Sequence, residues 1–226
     1  MEEKIIEVEN ISKNFGNIKA LDDVSFYLRK GEILCILGEN GSGKSTLINI
    51  IAGIIKPLKG NIRIFGKDPF KERDVYSKIG FLFHEPLFYP ELTLYENLYI
   101  IARIIGIEKP FKKIEKISSE FLIEHKLNEK VKNLSRGEIQ KAGFIRAFLN
   151  EPEILVLDEP FTAIDENGRK IIIKKFLEFK NNKRSIIFST HEKEIAEELS
   201  DRILILSKGK RIFFGNKFER KIFLSL

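Results

Sequence analysis

Apolar positions along this chain follow two different periods. Near the start they alternate or run together over short stretches, at Ile5–Val8, Val24–Leu28, Ile33–Leu37 and Ile62–Phe65. Turn residues separate them, at Asn14-Phe15-Gly16, Lys30-Gly31 and Lys59-Gly60-Asn61. Such runs, rich in β-branched residues and bounded by turns, predict strands. A helix is predicted from about Gly43 to Ala52, directly after the third strand. From about residue 86 to 149 the spacing becomes helical. Thr93-Leu-Tyr-Glu96 and Ser135-Arg-Gly-Glu138 are capping boxes, opening helices that run to about Ile105 and Phe148. Between them Pro110 suits a first helical turn, with Phe111, Ile114, Ile117 and Phe121 on one face. Strand and helix then alternate. Ile154–Leu157, Ser185–Ser189 and Ile203–Leu206 read as strands, Asn167–Phe179 and Glu192–Leu199 as helices, and a hairpin turns at Lys208-Gly209. Repeated βα units predict a parallel sheet covered by helices, with the early strands in a separate antiparallel sheet.

Composition narrows the class. A chain of 226 residues suits one domain, or one domain with an inserted subdomain, and buries a sufficient core without disulfides. Its one cysteine, Cys35, lies inside the apolar run "EILCIL" and reads as a reduced core thiol of a cytosolic protein. The opening "MEEKIIEVEN" is neither a signal nor a transit peptide. The longest apolar run, "INIIAGII", falls far short of the roughly 20 residues that cross a bilayer, so the chain itself is not expected to span one. The net charge of +6 comes from 39 basic and 33 acidic residues mixed along the chain, which reads as a soluble, lysine-rich surface. The basic residues near the end (Lys208, Lys210, Arg211, Lys217, Arg220, Lys221) are too sparse to indicate nucleic acid or lipid, and no nucleic-acid partner is expected.

Three stretches carry chemistry. The first is Gly38-Glu39-Asn40-Gly41-Ser42-Gly43-Lys44-Ser45, followed by Thr46, which fits the phosphate-loop pattern G-x-x-x-x-G-K-S/T with a strand before it and a helix after it. Glycines let backbone N–H groups turn inward around phosphate oxygens, and the helix N-terminus adds partial positive charge. Lys44 is expected on the β and γ phosphates, and the Ser45 hydroxyl on Mg²⁺. A plain glycine-rich turn is the structural alternative. The second is "ILVLDEP", Ile154–Pro160, which delivers Asp158 and Glu159 at the end of an apolar strand. Ligands of parallel sheets gather at the carboxyl ends of strands. Asp158 there suits Mg²⁺ through water, and Glu159 suits a general base for water attacking the γ-phosphate. The third is His191 in "IIFSTHE", landing at the same edge, where it can hydrogen-bond the γ-phosphate or the attacking water.

With these residues assembled, "GENGSGKST", "NLSRGE", "ILVLDEP", "FTAID" and "STHE" resemble, in order and spacing, the ATP-binding-cassette (ABC) ATPases, over essentially the whole chain. The resemblance implies an α/β P-loop NTPase fold: a mostly parallel core sheet, an N-terminal antiparallel β-subdomain and an inserted α-helical subdomain. It implies one ABC domain over 1–226, with its nucleotide-binding core at about 1–85 and 150–226 and its helical subdomain at about 86–149. G-protein domains, which share the phosphate loop, need an Asn-Lys-x-Asp motif; here the nearest stretch, Asn216-Lys-Phe-Glu219, ends in Glu and lies too near the C-terminus.

By the same resemblance two cassettes meet head to tail around two ATP molecules. The signature of one, here Ser135, Arg136, Gly137 and Glu138, then covers the γ-phosphate bound by the other. A capped helix start at Ser135 and a glycine allowing close backbone approach suit that task. Phe15 matches the aromatic that stacks on adenine, and Asp165 the loop bridging the two subunits. "EPLFYPELTLYENL" resembles the surface where a membrane partner docks; ordinary packing of Phe88 and Tyr89 is the alternative. Three positions depart from the family. His84 stands where the family has a Gln that contacts Mg²⁺ and the attacking water; an imidazole is shorter and titrates near neutrality. Arg136 replaces a signature glycine. Glu138 replaces the signature Gln and brings a carboxylate toward phosphate.

The expectation is therefore an ATP-hydrolysing subunit of an ABC transporter, using Mg²⁺ with ATP. It would pair with a second copy or another cassette and sit in the cytoplasm, peripheral on the inner face of the membrane, against an integral permease. The short C-terminus suggests no added regulatory domain, and the segment around His84 leans toward export-type cassettes. Two rivals stand beside it. One is a soluble, non-transport cassette of the assembly type; the long coiled coils of DNA-repair relatives and the paired cassettes of translation relatives are absent from the sequence. The other is an ATP-binding switch that hydrolyses weakly, which the three departures favour and Glu159 opposes.

Overall fold

The alternating apolar positions at the start of the chain place Ile6 and Val8 under one face of a long strand, β1 (Lys4–Phe15), and a register shift after Val8 leaves Ile11 buried in the same core. A tight turn leads into β2 (Ile18–Arg29), which returns antiparallel along it. The next strand, β3 (Ile33–Leu37), is apolar at every position and fully buried, as a strand covered on both faces must be. Helix α1 (Lys44–Ile51) follows, then β4 (Lys59–Ile64), which joins the other side of β1. The computed structural model describes residues 3–85 and 87–216, so Lys217, Arg220 and Lys221 of the basic cluster, and most of Asn216–Glu219, lie outside the described residues.

Beyond β4 come β5 (Ile79–Leu82) and three helices, α2 (Leu94–Ile104), α3 (Pro110–Glu120) and α4 (Arg136–Phe148). Then β6 (Ile154–Leu157), α5 (Glu166–Asn181), β7 (Ser185–Thr190), α6 (Lys193–Leu199), β8 (Arg202–Ser207) and β9 (Lys210–Asn216) complete the described chain. Both predicted capping boxes form: Thr93 with Glu96 opens α2, and Ser135 with Glu138 opens α4. Pro110 occupies the first turn of α3.

Two sheets result. One is antiparallel with order β2-β1-β4, and the other has order β5-β6-β7-β3-β8-β9, parallel from β5 to β8 with β9 antiparallel at the edge. Three of the four early strands thus form the separate antiparallel sheet. The third, β3, belongs to the parallel sheet instead, where its unbroken apolar run fits. Alternate residues of the parallel strands feed two cores. Leu34, Ile36, Val156 and Ile187 pack with α1 and the antiparallel sheet, while Cys35, Leu155, Leu157 and Phe188 pack with α2 to α6. Helices α2 to α4 share this second core with α5 and α6; Phe121, Phe144, Phe176 and Phe188 are fully buried in it, each burial contributing about 1.5–3 kcal/mol.

One predicted core residue is not in the core. Phe111 is 56% exposed and leans on Tyr95, with ring centroids 5.8 Å apart, because the buried face of α3 is set by Pro110, Ile114 and Ile117. Strand β5 was not legible as a strand, being four residues long with a glycine inside it. Among the described residues no helix is long and apolar enough to cross a membrane.

Candidate functional site

The parallel register brings the carboxyl ends of three neighbouring strands level. Leu157 of β6 lies opposite Phe188 of β7, and Leu37 of β3 opposite Thr190 of β7. Whatever follows these residues must therefore converge. Gly38–Thr46 follows β3, Asp158 and Glu159 follow β6, and His191 follows β7.

The loop after β3 turns through two glycines in the left-handed region, Gly41 (φ 79) and Gly43 (φ 107), the latter capping α1. A side chain at Gly43 would also strike the Ala20 carbonyl oxygen at 2.6 Å, so the β1–β2 hairpin lies against the loop. The first bond of α1 runs from Leu47 N to Gly43 O, which leaves the N–H groups of Lys44, Ser45 and Thr46 at the open helix end. Ser42 Oγ is buried without a hydrogen-bond partner among the described residues, and Ser45 is exposed. An open helix end, an orphaned hydroxyl and a lysine fit a phosphate chain. Among the described residues no three acidic, His or Cys side chains cluster as a metal cage. Mg²⁺ bound with phosphate needs none, since it takes one or two protein oxygens and keeps waters; Ser45 and Asp158 fit that donor set.

Lys44 is 5% exposed. Its ammonium donates to the carbonyls of Gly38 (2.8 Å) and Glu39 (3.2 Å) and pairs with Glu159 Oε1 at 3.3 Å. The other carboxylate oxygen, Oε2, lies 3.1 Å from His191 Nδ1. Lys44, Glu159 and His191 thus form one connected chain. Asp158 stands beside it, accepting from the Ser189 hydroxyl, which itself accepts from Glu159 N at 2.9 Å. His84 follows β5, the strand next to β6, and is exposed. Phe15 ends β1 on the hairpin, 49% exposed, with the Lys13 ammonium 5.6 Å from its ring centre.

Ser135, Arg136, Gly137 and Glu138 form the tip of α4 and join no contact with Lys44. They line an open cleft of 510 Å³ with Ala163 and Asp165. In the capping box, Ser135 N donates to Glu138 Oε2 (2.7 Å) and Glu138 N donates to Ser135 Oγ (3.2 Å). The backbone N–H of Ser135, with the Ser135 hydroxyl and Lys126 adding to it, holds the Glu138 carboxyl below its usual range against a smaller burial effect. Glu138 is thereby engaged on its own helix and on Lys126 (3.6 Å), rather than projecting as a bare charge. Asp165 caps α5, accepting from Gly168 N at 2.8 Å.

On the other side of the helical layer, Arg146 sits between the rings of Phe83 and Phe88, 5.6 and 5.4 Å from their centres. Burial pushes its guanidinium down to about 10. Phe88 is thus a packing residue, whereas Leu87 (66% exposed) and Tyr89 (65%) form an open apolar face. Of the basic residues near the end, Arg211 donates to the Ser25 carbonyl and Lys210 pairs with Asp22, so these two serve the local fold.

Two site-lining residues carry no role assigned from the sequence. Gln140 is 7% exposed and donates to the Glu159 carbonyl at 3.2 Å; Ser189 is fully buried. A glutamine inside an otherwise apolar helix face and a serine near the end of an apolar strand were the available signs.

Comparison with known proteins identifies the family. A family model described as ABC transporter matches residues 21–162. An uncharacterized ABC transporter ATP-binding protein of Methanocaldococcus jannaschii is 36% identical, covering 93% of this chain and 77% of that protein. The bacitracin transport ATP-binding protein of Bacillus licheniformis is also 36% identical, covering 91% and 68%. A solved dimeric ATP-binding cassette in a post-hydrolysis state, bound to ADP and Pi, superposes with a TM-score of 0.84 at 27% identity, covering 93% of this chain and 98% of that one. The chain belongs to the ABC transporter family, as one of its ATP-binding, ATP-hydrolysing cassettes.

Proposed function

We propose that this chain binds Mg-ATP at a head-to-tail dimer interface and powers a separate transmembrane partner, from a cytoplasmic position on the inner face of the membrane. The observation that carries this reading is the connected chain Lys44–Glu159–His191, with spacings of 3.3 and 3.1 Å at one sheet edge. In it, the amides at the start of α1 and the Lys44 ammonium bind phosphate, and Phe15 stacks on the adenine. Ser45 and Asp158 would hold Mg²⁺, which neutralises phosphate charge when bound, and His84, two residues beyond β5, would join them from the same sheet edge. Glu159 takes the proton of the attacking water, and His191 holds that water or the γ-phosphate. A positioned base of this kind contributes about 10²–10⁴-fold.

The tip of α4, Ser135 to Glu138, seals the partner's nucleotide, and Asp165 lies along the dimer seam. The solved dimer of a similar cassette supports this assembly. The engagement of Glu138 in its own capping box removes one motive for reading the chain as a weakly hydrolysing switch. We assign the nucleotide core to about 1–85 and 150–226 and the helical subdomain to about 86–149, with the open face at Leu87 and Tyr89 meeting the permease.

The test is phosphate release by wild type beside Glu159→Gln, together with the solution mass of Glu159→Gln in ATP and Mg²⁺. Turnover should fall at least a hundredfold and the mass should double. Equal turnover, or a lone monomer with ATP bound, sinks the reading. Co-purification with an integral membrane protein separates a transport subunit from a soluble assembly ATPase.

A further inference from the structure

Glu159 carries an unusual backbone. Its φ of 47 lies in the left-handed region, which side-chain-bearing residues disfavour and which persists only where surroundings hold it. The holders are visible on both sides. Its N–H donates to Ser189 Oγ, and its carbonyl accepts from Gln140 Nε2. Ser189 belongs to the sheet. Gln140 belongs to α4, about one and a half turns from the Ser135 tip. The same helix touches the loop a second time, where Gly137 backs onto the Ala163 carbonyl with no room for a Cβ between them. A leucine at position 140 would fill similar space without the burden of burying an amide, so the amide is there for its hydrogen bond.

We infer that Gln140 is a positioning residue for the reaction: it fastens the Glu159 backbone to α4, so that the carboxylate is aimed through the same helix whose tip seals the neighbouring nucleotide. The inference rests on Glu159 acting as base. Each subunit's base is then oriented by a helix that reads the other subunit's ATP.

The test is Gln140→Leu in the full chain, with three readouts. Turnover should fall about tenfold, while KM for ATP stays within twofold. ATP-dependent dimerisation of the Gln140→Leu/Glu159→Gln double variant should match that of Glu159→Gln alone, because the tip is untouched. Unchanged turnover overturns the inference. So does a loss of dimerisation alongside turnover, which would mean that the substitution disturbs the tip. Ser189→Ala provides a second arm, removing the acceptor on the other side together with the Ser189–Asp158 contact; turnover should fall at least as far, with KM free to rise, and wild-type turnover there overturns the clamp. Wild-type turnover in Glu159→Gln overturns the base assignment and the clamp with it.

Discussion

Gly137→Ala separates stability from turnover. The new Cβ would stand 2.8 Å from the Ala163 carbonyl oxygen, a backbone atom that no rotamer change can move away. A carbon–oxygen contact settles at about 3.3 Å, so the helix tip and the loop must part by roughly 0.5 Å. Overpacking of this kind costs about 1–3 kcal/mol. Alanine returns up to about 1 kcal/mol of helix propensity over glycine. The net is a destabilisation of about 0–3 kcal/mol, which in a domain of this size lowers Tm by no more than about 12 °C. Turnover should respond more strongly. The loop that must move carries Glu159 four residues upstream, and a misplacement of about 1 Å at reacting groups is worth about a hundredfold. We expect about a tenfold loss in phosphate release at saturating ATP from a protein that remains folded, by calorimetry on the same sample. Wild-type turnover with unchanged Tm would show that the loop yields freely. Wild-type turnover with a lowered Tm would show that the contact stabilises the fold and nothing more.

Phe144 is 1% exposed and stacked on Phe121 at 5.6 Å, so Phe144→Ala should lose about 3–5 kcal/mol in urea unfolding; a loss under about 1 kcal/mol would contradict the shared core of the helices. Because the Ser135 N–H and hydroxyl and Lys126 hold the folded Glu138 carboxyl below the 4.5 of the unfolded chain, the stability from this box is present above pH 4.5 and lost as pH falls through the depressed folded value. Glu138→Gln can keep the box without titrating, so its unfolding free energy should fall less than wild type's between pH 6 and pH 3; parallel curves would refute the linkage. His84→Gln should raise ATPase turnover, since the longer amide side chain reaches further toward phosphate and water than the exposed imidazole; an unchanged rate would dismiss His84 as a brake on turnover.

The fold was legible where local chemistry and burial agree. The capping boxes at Thr93 and Ser135 are satisfied within four residues, and the unbroken apolar runs of β6 and β7 leave no choice but a covered sheet. Phe111 falls outside the core because helical spacing names a face without saying which part of it meets a neighbour; the buried part belongs to Pro110, Ile114 and Ile117. Strand β3 was grouped with the early strands by proximity in the chain, whereas its pairing with β7 and β8 spans about 150 residues or more of sequence. At the site, Lys44, Asp158, Glu159 and His191 announce themselves because each follows an apolar strand. The holds that Gln140 and Ser189 place on Glu159 stay silent because they fall on its backbone groups, and a backbone partner leaves no trace in residue types.

The contact between Lys44 and Glu159 also orders events under the proposed roles. An ammonium has three protons, and Lys44 has three oxygens around it: the Gly38 and Glu39 carbonyls and Glu159 Oε1. A phosphate oxygen reaching Lys44 must displace one of them. The two carbonyls belong to the loop that binds the phosphate, so moving either one dismantles the cradle. Glu159 presents a side chain with rotatable bonds, and its second oxygen already has an alternative partner in His191, whose ring is half exposed. The carboxylate is therefore the group that yields. Its release requires that the incoming anion compensate the buried Lys44 charge, because an unpaired buried ammonium is strongly unfavourable. Arrival of phosphate and freeing of the base are thus one exchange at one nitrogen, and the backbone clamp from Gln140 and Ser189 decides where the freed carboxylate can point.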